Sequence, residues 1–390
     1  MSFFTLSSPV ASVAAKEKAA KVVYDGAIYC SQRRGGISRY YTRIIEYMAQ
    51  MRPDWRFEIH VNPRPTATLP RGDNIYVLVR PYLCPGKAWF PVNYLIREYC
   101  YRATRPSLYH STLYRPFRFA PCPLITTIHD VVQLVLPQFY HSKAGRRLTR
   151  FQRWWARHAD AILTDSEASR RDIVSLLGAD PARVHVTYLG VDEAFRPASE
   201  TEIQDVCRRY GLRRPYLVYV GHRGEHKNFA VVRLALQSQR LSAWQLVLVG
   251  GGPLAPCEIP AGVSGEMVKH IGECEDAELR LIYAGADALL FPSLYEGFGL
   301  PCLEAMACGT AVVASDIPVL REICGNDCEY FDHRDPEDLV RAIWRIADPT
   351  RRAELTAGGL RRAGRFSWDR CAAQTLEVYE QLLGSGEGCG

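Results

Sequence analysis

The sequence predicts an α/β protein with two successive domains, each built around a parallel sheet. Its 390 residues exceed the usual size of a single domain. Short apolar runs alternate with helical patterns along almost the whole chain, which is typical of strands joined by helical crossovers. A break at residues 190–215, which ends in a proline, separates two such series. The sequence therefore indicates a domain boundary in this region.

The first series of elements occupies residues 21–198 and is expected to form the N-terminal domain. Its predicted strands lie at 21–24, 57–61, 75–79, 107–110, 124–128, 161–164 and 184–188. Helices are predicted at 37–48 and 167–177, and Ser166 before the second one is a typical N-cap residue. Residues 1–20 are expected to form a loose tail, because their apolar residues precede the lysines, the reverse of a secretory signal.

The second series occupies residues 199–365 and is expected to form the C-terminal domain. Its predicted strands lie at 216–220, 245–249, 268–271, 288–291, 311–314 and 330–331. A further segment, 366–385, contains a helix predicted from about Asp369 to Leu383. Two α/β units in succession favour a ligand cleft between them, near the carboxyl ends of the strands.

Composition excludes several classes of protein. No run of 18 apolar residues is present, so we expect no membrane-spanning helix. The 13 cysteines are odd in number and lack metal-ligand spacing, which indicates reduced thiols of a cytoplasmic protein. The net charge is +6, but the basic excess lies in residues 1–199 and residues 200–390 are acidic. A basic half joined to an acidic half suggests an anionic partner for the first half.

The segment with the clearest chemistry runs from Phe291 to Pro318. Two carboxylates, Glu296 and Glu304, flank a loop that contains Gly297, Phe298, Gly299 and Leu300. Pro301 is expected to begin a helix, because proline is favoured at the first helical position, which places Glu304 in the first turn. The free amides of that turn bind anions, and the carboxylates can hold hydroxyl groups. This combination suits a sugar that is attached to a phosphate.

The same segment, FPSLYEGFGLPCLEAMACGTAVVASDIP, resembles the donor-binding signature of retaining GT-B glycosyltransferases of the family-4 type, the glycosyl transferases group 1. The resemblance extends from about residue 21 to 385 and is strongest in 216–370. It implies the GT-B fold, in which two Rossmann-like domains face each other across a cleft. In that fold a C-terminal helix crosses back to the N-terminal domain, and FSW with the helix after it resembles that element.

The resemblance also assigns roles to residues of the second domain. Glu296 would hold sugar hydroxyls, Glu304 the ribose, and the loop amides from Gly297 to Leu300 the sugar and phosphate. Gly221 ends a predicted strand, and the cations that follow it, Arg223 and Lys227, match the residues that neutralise the leaving nucleoside diphosphate. The alternative for these cations is a pair of solvated surface charges. Ile271 and Leu279 match the segment that frames the base, with plain core packing as their alternative.

Two sites in the first domain complete the expected cleft. His129 follows a predicted strand, and relatives carry a histidine here that touches the transferred sugar. Its alternative is a structural histidine, and His110 after another strand is a weaker candidate. Gly35 and Gly36 precede a helix and match a glycine loop near the donor phosphates and the acceptor, whereas the alternative is an ordinary turn.

The helical pattern from Lys143 to His158 contains six cations, no acid, and two adjacent tryptophans. Such a helix can bind an anionic membrane surface, or it can be solvated with its tryptophans packed on the core. No nucleic-acid-binding motif accompanies the charge, so we expect no nucleic-acid partner. The resulting expectation is a cytoplasmic protein that is peripheral on the inner face of the membrane.

The expected reaction is retaining transfer of a hexose from a nucleotide diphosphate sugar to a glycan or lipid-linked glycan. Members that the N-terminal motifs YDG and QRRGGISRY resemble build bacterial surface polysaccharides such as O-antigen, and many use GDP-mannose, so mannose is favoured. No D-x-D triplet is present, and we expect neither a metal nor another cofactor. Two alternatives stay open: a nucleotide-sugar epimerase of the same fold, and a non-catalytic protein that binds sugar nucleotides.

Overall fold

A computed structural model describes residues 19–32, 35–80, 90–118 and 120–385. The tail predicted for residues 1–20 lies almost entirely outside these described residues. Within them the chain forms two parallel sheets, each covered by helices.

The first sheet has seven strands in the spatial order β3-β2-β1-β4-β5-β6-β7, and every neighbouring pair is parallel. Its inner strands are buried on both faces, which explains why they read as continuous apolar runs. The strands are β1 Lys21–Tyr24, β2 Arg56–Val61, β3 Ile75–Val79, β4 Leu108–Ser111, β5 Leu124–Thr127, β6 Ala161–Thr164 and β7 Val184–Val186. The helices that cover this sheet are α1 Gly36–Met51, α2 Phe90–Ala103, α3 Val132–Val135, α4 Lys143–His158 and α5 Glu167–Leu177.

The second sheet has six parallel strands in the order β10-β9-β8-β11-β12-β13. Its strands are β8 Tyr216–Val220, β9 Gln245–Val249, β10 Val268–Ile271, β11 Ala288–Phe291, β12 Ala311–Ser315 and β13 Glu329–Phe331. The helices that follow β7 in the chain are α6 Glu200–Tyr210, α7 Phe229–Ala235, α8 Asp276–Gly285, α9 Leu300–Ala307, α10 Pro318–Cys324, α11 Pro336–Ala347, α12 Pro349–Ala363 and α13 Trp368–Ser385.

The strand order reverses between β1 and β4 in the first sheet and between β8 and β11 in the second. Loops that leave neighbouring strands in opposite directions open a crevice at the carboxyl edge, where ligands bind in sheets of this kind. In the second domain this point lies between the loop after β8, which carries Lys227, and the loop after β11, which carries Glu296.

The stretch between the two sheets contains a helix that was not predicted from the sequence. Residues 190–215, predicted as a break between the two series, include the eleven-residue helix α6. Its start is fixed by a capping box, in which Ser199 accepts from the Glu202 amide and the Glu202 carboxylate accepts from the Ser199 amide. The sequence carried this signal as a serine followed three residues later by glutamate.

Helix α13 leaves the second domain and packs against α1 of the first. Tyr379 on this helix is fully buried, and its hydroxyl bonds the Tyr24 hydroxyl at 2.9 Å and His110 Nδ1 at 2.5 Å. Burial lowers the pKa of His110 to about 3, so this histidine is a neutral structural residue. The fold predicted from the sequence, two Rossmann-like domains and a helix that crosses back, is confirmed.

Candidate active site

The loop after β11 is shaped by two glycines. Gly299 directly precedes α9 and has a φ of 111°. Residues with a Cβ rarely adopt this backbone conformation. A Cβ on Gly297 would overlap the carbonyl oxygen of His129 in the other domain. The loop therefore approaches the first domain closely, and glycine is required for that approach.

Serine side chains of the first domain hold this loop in place. Ser166 Oγ donates to the carbonyl oxygen of Gly297 at 2.8 Å, and Ser169 Oγ lies 3.0 Å from the same oxygen. Ser169 Oγ also lies 3.2 Å from the carbonyl oxygen of His129. The N-cap role predicted for Ser166 is confirmed, since its oxygen also accepts from the Ser169 amide. These contacts bring His129 and the glycine loop together.

A second contact between the domains reinforces the first. The carboxylate of Glu322, on α10, accepts from the amides of Glu167 and Ala168 at 2.7 and 2.9 Å. These amides are the free donors at the start of α5, where a negative charge is stabilised. The cleft is thus closed on this side by hydrogen bonds at the first turn of α5.

Glu296 and Lys227 form an ion pair at the carboxyl edge of the second sheet. Lys227 Nζ lies 2.6 Å from Glu296 Oε1, and their side chains are 27% and 13% exposed. The two residues predicted to hold the sugar and the phosphate are therefore adjacent. Each side chain neutralises the charge of the other.

Arg223 lies in the same loop as Lys227 but makes different contacts. Its Nε donates to Glu258 at 2.6 Å, and its terminal nitrogens donate to the carbonyls of Gly250 and Gly252 at 3.0 Å. Its side chain is 4% exposed. Arg223 thus holds the turn after β9, close to Gly221, whose amide bonds the Val249 carbonyl. Its predicted role at the diphosphate stays a prediction.

His129 carries a buried and partly unsatisfied imidazole. Nδ1 lies 2.8 Å from Asp165 Oδ2, whereas Nε2 has no hydrogen-bond partner among the described residues. The ring of Tyr40 packs edge-on against it, with centroids 5.0 Å apart. Burial lowers the pKa of His129, but the charge and hydrogen bond of Asp165 outweigh it and raise the pKa overall. The free Nε2 suits a hydrogen bond to a substrate.

Glu304 lies one residue further into its helix than predicted. Helix α9 begins at Leu300 rather than Pro301, so Glu304 is the fifth helical residue and belongs to the second turn. Gly299 supplies the helix start, because its positive φ lets the chain turn before the proline. The carboxylate lies 2.6 Å from Arg39 of the first domain. Burial raises the pKa of Glu304 to about 7, against the lowering effect of Arg39.

The remaining predicted site residues differ in how much of each is exposed to a ligand. Ile271 and Leu279 are buried in the core, so only their main chain is available to a base. The Phe298 ring is buried against Phe366, with ring centroids 5.8 Å apart. Gly35 is the residue before α1, and Gly36 is its first residue; their role near the phosphates stays a prediction.

Several residues of this site were not predicted from the sequence. Arg39, Asp165 and Ser169 each contact a nominated residue or the glycine loop, and Glu322 bonds the first turn of α5. Asp165 had a detectable signal, since it directly follows strand β6 and therefore lies at the carboxyl edge with His129. The others act across the domain boundary, where sequence order gives no guide.

Helix α4 has the bounds that the charge pattern predicted, Lys143–His158. Trp155 is fully buried and Trp154 stacks on His158, with ring centroids 4.4 Å apart, so the tryptophans pack on the protein. The cations all lie on the exposed face, and they are Lys143, Arg146, Arg147, Arg150, Arg153 and Arg157. Across the residues that the structure describes, every helix is too short or too polar to span a bilayer. The same described residues contain no cluster of three side chains that could bind a metal ion.

Comparison with solved structures identifies the class of fold. Sucrose-phosphate synthase from Thermosynechococcus elongatus superposes with a TM-score of 0.73 at 19% identity, covering 94% of this chain and all of that one. The two facing Rossmann-like domains with a returning C-terminal helix are the GT-B fold of glycosyltransferases.

Comparison of sequences identifies the family. Residues 208–358 match "Glycosyl transferases group 1", and residues 34–195 match "Glycosyltransferase Family 4". The O-antigen chain mannosyltransferase B of Escherichia coli is 30% identical over 288 residues, which cover 70% of this chain and 74% of that relative. The MMP alpha-(1->4)-mannosyltransferase of Mycolicibacterium hassiacum is 32% identical over 283 residues, 68% of this chain and 67% of that relative. The chain belongs to the group 1 glycosyltransferases.

Proposed function

We propose that this protein transfers a mannosyl residue from GDP-mannose to a glycan or lipid-linked glycan, with retention of configuration. One observation carries the proposal: His129, the Gly297 loop and the Glu296–Lys227 pair converge on the cleft between the two sheets. Mannose is favoured because two relatives at 30–32% identity are described as mannosyltransferases. The O-antigen relative favours a polysaccharide acceptor.

The chemistry follows from where charge develops in the reaction. The oxygen of an acceptor hydroxyl forms a new bond to the sugar C1 as the bond between C1 and the diphosphate oxygen breaks, and the hydroxyl proton passes to the leaving diphosphate. Negative charge therefore grows on the leaving phosphate and positive charge on the sugar. Lys227 would exchange Glu296 for the phosphate, and Glu296 would then accept from sugar hydroxyls. Fixed cations and amides aimed at that developing charge supply the main catalytic effect in sites of this kind. Nε2 of His129 would bond the sugar from the other domain.

Metal independence is part of the proposal. Lys227 and the free amides at the start of α9 supply positive charge where other nucleotide-sugar enzymes use a divalent ion. Arg223 would join them if it exchanged the Gly250 and Gly252 carbonyls for phosphate oxygens on donor binding. We expect full activity in the presence of a chelator.

The exposed cations of α4 support a peripheral membrane location at the inner face. Six cations on one face, with no acid in the helix, match the charge of a leaflet that contains anionic lipids. Sedimentation with vesicles of phosphatidylglycerol and phosphatidylcholine tests this part of the proposal. Replacing Arg147, Arg150 and Arg153 by glutamate should abolish sedimentation, whereas phosphatidylcholine alone should not bind either protein.

The donor is tested by thermal unfolding with GDP-, UDP-, ADP- and dTDP-sugars in the absence of divalent metal. A rise in the unfolding temperature with GDP-mannose alone would support the proposal, and a rise with another nucleotide class would replace the donor. Incubation with GDP-mannose and a polyprenyl-linked glycan then tests transfer, and NMR of the anomeric proton tests retention. No stabilisation by any nucleotide in a folded sample would overturn the proposed function.

A further inference from the structure

Arg39 on α1 of the first domain reaches across the cleft to two carboxylates of the second. Its terminal nitrogens lie 2.6 Å from Glu304 Oε1 and 2.6 Å from Asp276 Oδ1. The Arg39 side chain is about a quarter exposed, while the Glu304 side chain is almost fully buried. Arg39 follows the Gly35-Gly36 turn by a few residues and bonds the Gly35 carbonyl through its amide. It is thus anchored at the edge of the cleft.

The ion pair between Arg39 and Glu304 matters because Glu304 is buried and its other surroundings disfavour the charged carboxylate. Burial disfavours its charged form, and Asp276 and Asp192 add negative charge nearby. The hydroxyl of Tyr283 and the thiol of Cys308 also lie close to it. Arg39 is the cation that opposes these effects. Arg39 therefore favours the ionised form of Glu304, a carboxyl whose pKa lies near neutral, at about 7.

The Glu304 carboxylate has a second oxygen besides the one that bonds Arg39. Arg39 contacts Oε1, and a ribose hydroxyl would donate to Oε2. An ionised carboxylate accepts stronger hydrogen bonds from hydroxyl groups than a protonated one. The contact between the domains and the binding of ribose therefore reinforce each other.

We propose that Arg39 is a positioning residue for donor binding, which holds the Glu304 carboxylate in place for the ribose through the contact between the two domains. The inference rests on the proposed function, because it assumes a nucleotide in this cleft. It goes further in making affinity for the donor, bound by the second domain, depend on a residue of the first.

The test measures binding of GDP by calorimetry between about pH 6 and pH 9. In Arg39→Gln, loss of the cation raises the pKa of Glu304, so affinity at neutral pH should fall about tenfold for each unit of that rise. Affinity should recover as the pH increases, and Arg39→Lys should restore part of it. The matched control is Arg52→Gln, just past the far end of α1, where the ion pairs are with Asp54 and Glu380. It should bind GDP with the wild-type pH profile.

Two further measurements separate positioning from a general effect on the fold. The 2′,3′-dideoxy analogue of GDP lacks the ribose hydroxyls, so wild type and Arg39→Gln should bind it equally. In a Glu304→Gln background, which cannot titrate, Arg39→Gln should cause less than a twofold further change.

The outcomes distinguish this inference from the proposed function. Unchanged GDP affinity of Arg39→Gln at every pH, or an equal loss for the dideoxy analogue, would overturn the role of Arg39 alone. Failure of the wild-type protein to bind any nucleoside diphosphate would overturn the proposed function, and the role of Arg39 with it.

Discussion

Lys227 Nζ and Glu296 Oε1 lie 2.6 Å apart, although the proposed reaction needs one for the phosphate and the other for the sugar. The ion pair therefore holds the two proposed binding groups, an ammonium and a carboxylate, against each other, and their charges cancel. A sugar nucleotide offers a partner to each residue. Its phosphates are anions that can bind the lysine, and its sugar has hydroxyl groups that can donate to the carboxylate. Neither a free sugar nor a free phosphate alone replaces both partners.

Replacing Lys227 by alanine should lower kcat for mannosyl transfer by about 10²- to 10³-fold, since a contact to developing charge is lost. Lys227→Arg should retain part of the activity because it keeps the charge. Steady-state kinetics measure the change, and the unfolding temperature checks that the fold persists. A kcat within twofold of wild type in Lys227→Ala would contradict the assigned role.

Replacing Gly297 by alanine should open the cleft, because the added Cβ would overlap the His129 carbonyl oxygen. We expect at least a tenfold loss of kcat/KM, since a displacement near 1 Å in a site can cost about a hundredfold. Gly265→Ala is the matched control, because a Cβ there meets nothing within 4 Å. Equal activity of both variants would mean that the described closeness of the domains is not required for transfer.

Replacing Asp165 by asparagine should shift the pH profile of the reaction. Asp165 raises the pKa of His129, so the protonated imidazole persists to higher pH than in free histidine. Removing the charge lowers that pKa, and activity that needs a proton on Nε2 should be lost at a lower pH than in wild type. The alkaline limb of kcat against pH measures this shift. An unmoved alkaline limb, with activity retained, would exclude His129 as a proton donor to the substrate.

Replacing Tyr379 by phenylalanine should destabilise the protein by about 1–3 kcal/mol, because it leaves the buried Nδ1 of His110 without that hydrogen bond. Chemical denaturation measures the free energy of unfolding. Tyr99→Phe, at a side chain that is 75% exposed, should change it by less than about 0.5 kcal/mol. Similar values for both variants would show that the Tyr379 hydroxyl adds little to the attachment of α13.

The sequence predicted those parts of the molecule that depend on neighbours in the chain. The strands of both sheets follow from apolar runs, and helix α4 follows from its charge pattern with both bounds correct. The Glu296–Lys227 pair was predictable as two loops at one sheet edge, because both follow strands of the same parallel sheet.

Contacts between the domains were not predictable from such patterns. Arg39 and Glu304 are separated by 265 residues, and no local rule relates them. The same holds for Glu322, which stabilises the first turn of a helix that lies 155 residues earlier. Helix α6 was overlooked for a different reason, because its charged and proline-flanked sequence obscured a capping box that was present.

The return of α13 to the first domain has a consequence for how the chain is made. Domains generally fold as units as they leave the ribosome, the N-terminal one first. Here the Tyr24 hydroxyl and Nδ1 of His110, in the first sheet, bond the hydroxyl of Tyr379, which is synthesised after the entire second domain. Part of the core of the first domain therefore stays uncovered until the second domain and α13 have been synthesised. A chain truncated before α13 would therefore contain a first domain with an incompletely covered core, although that domain is synthesised first.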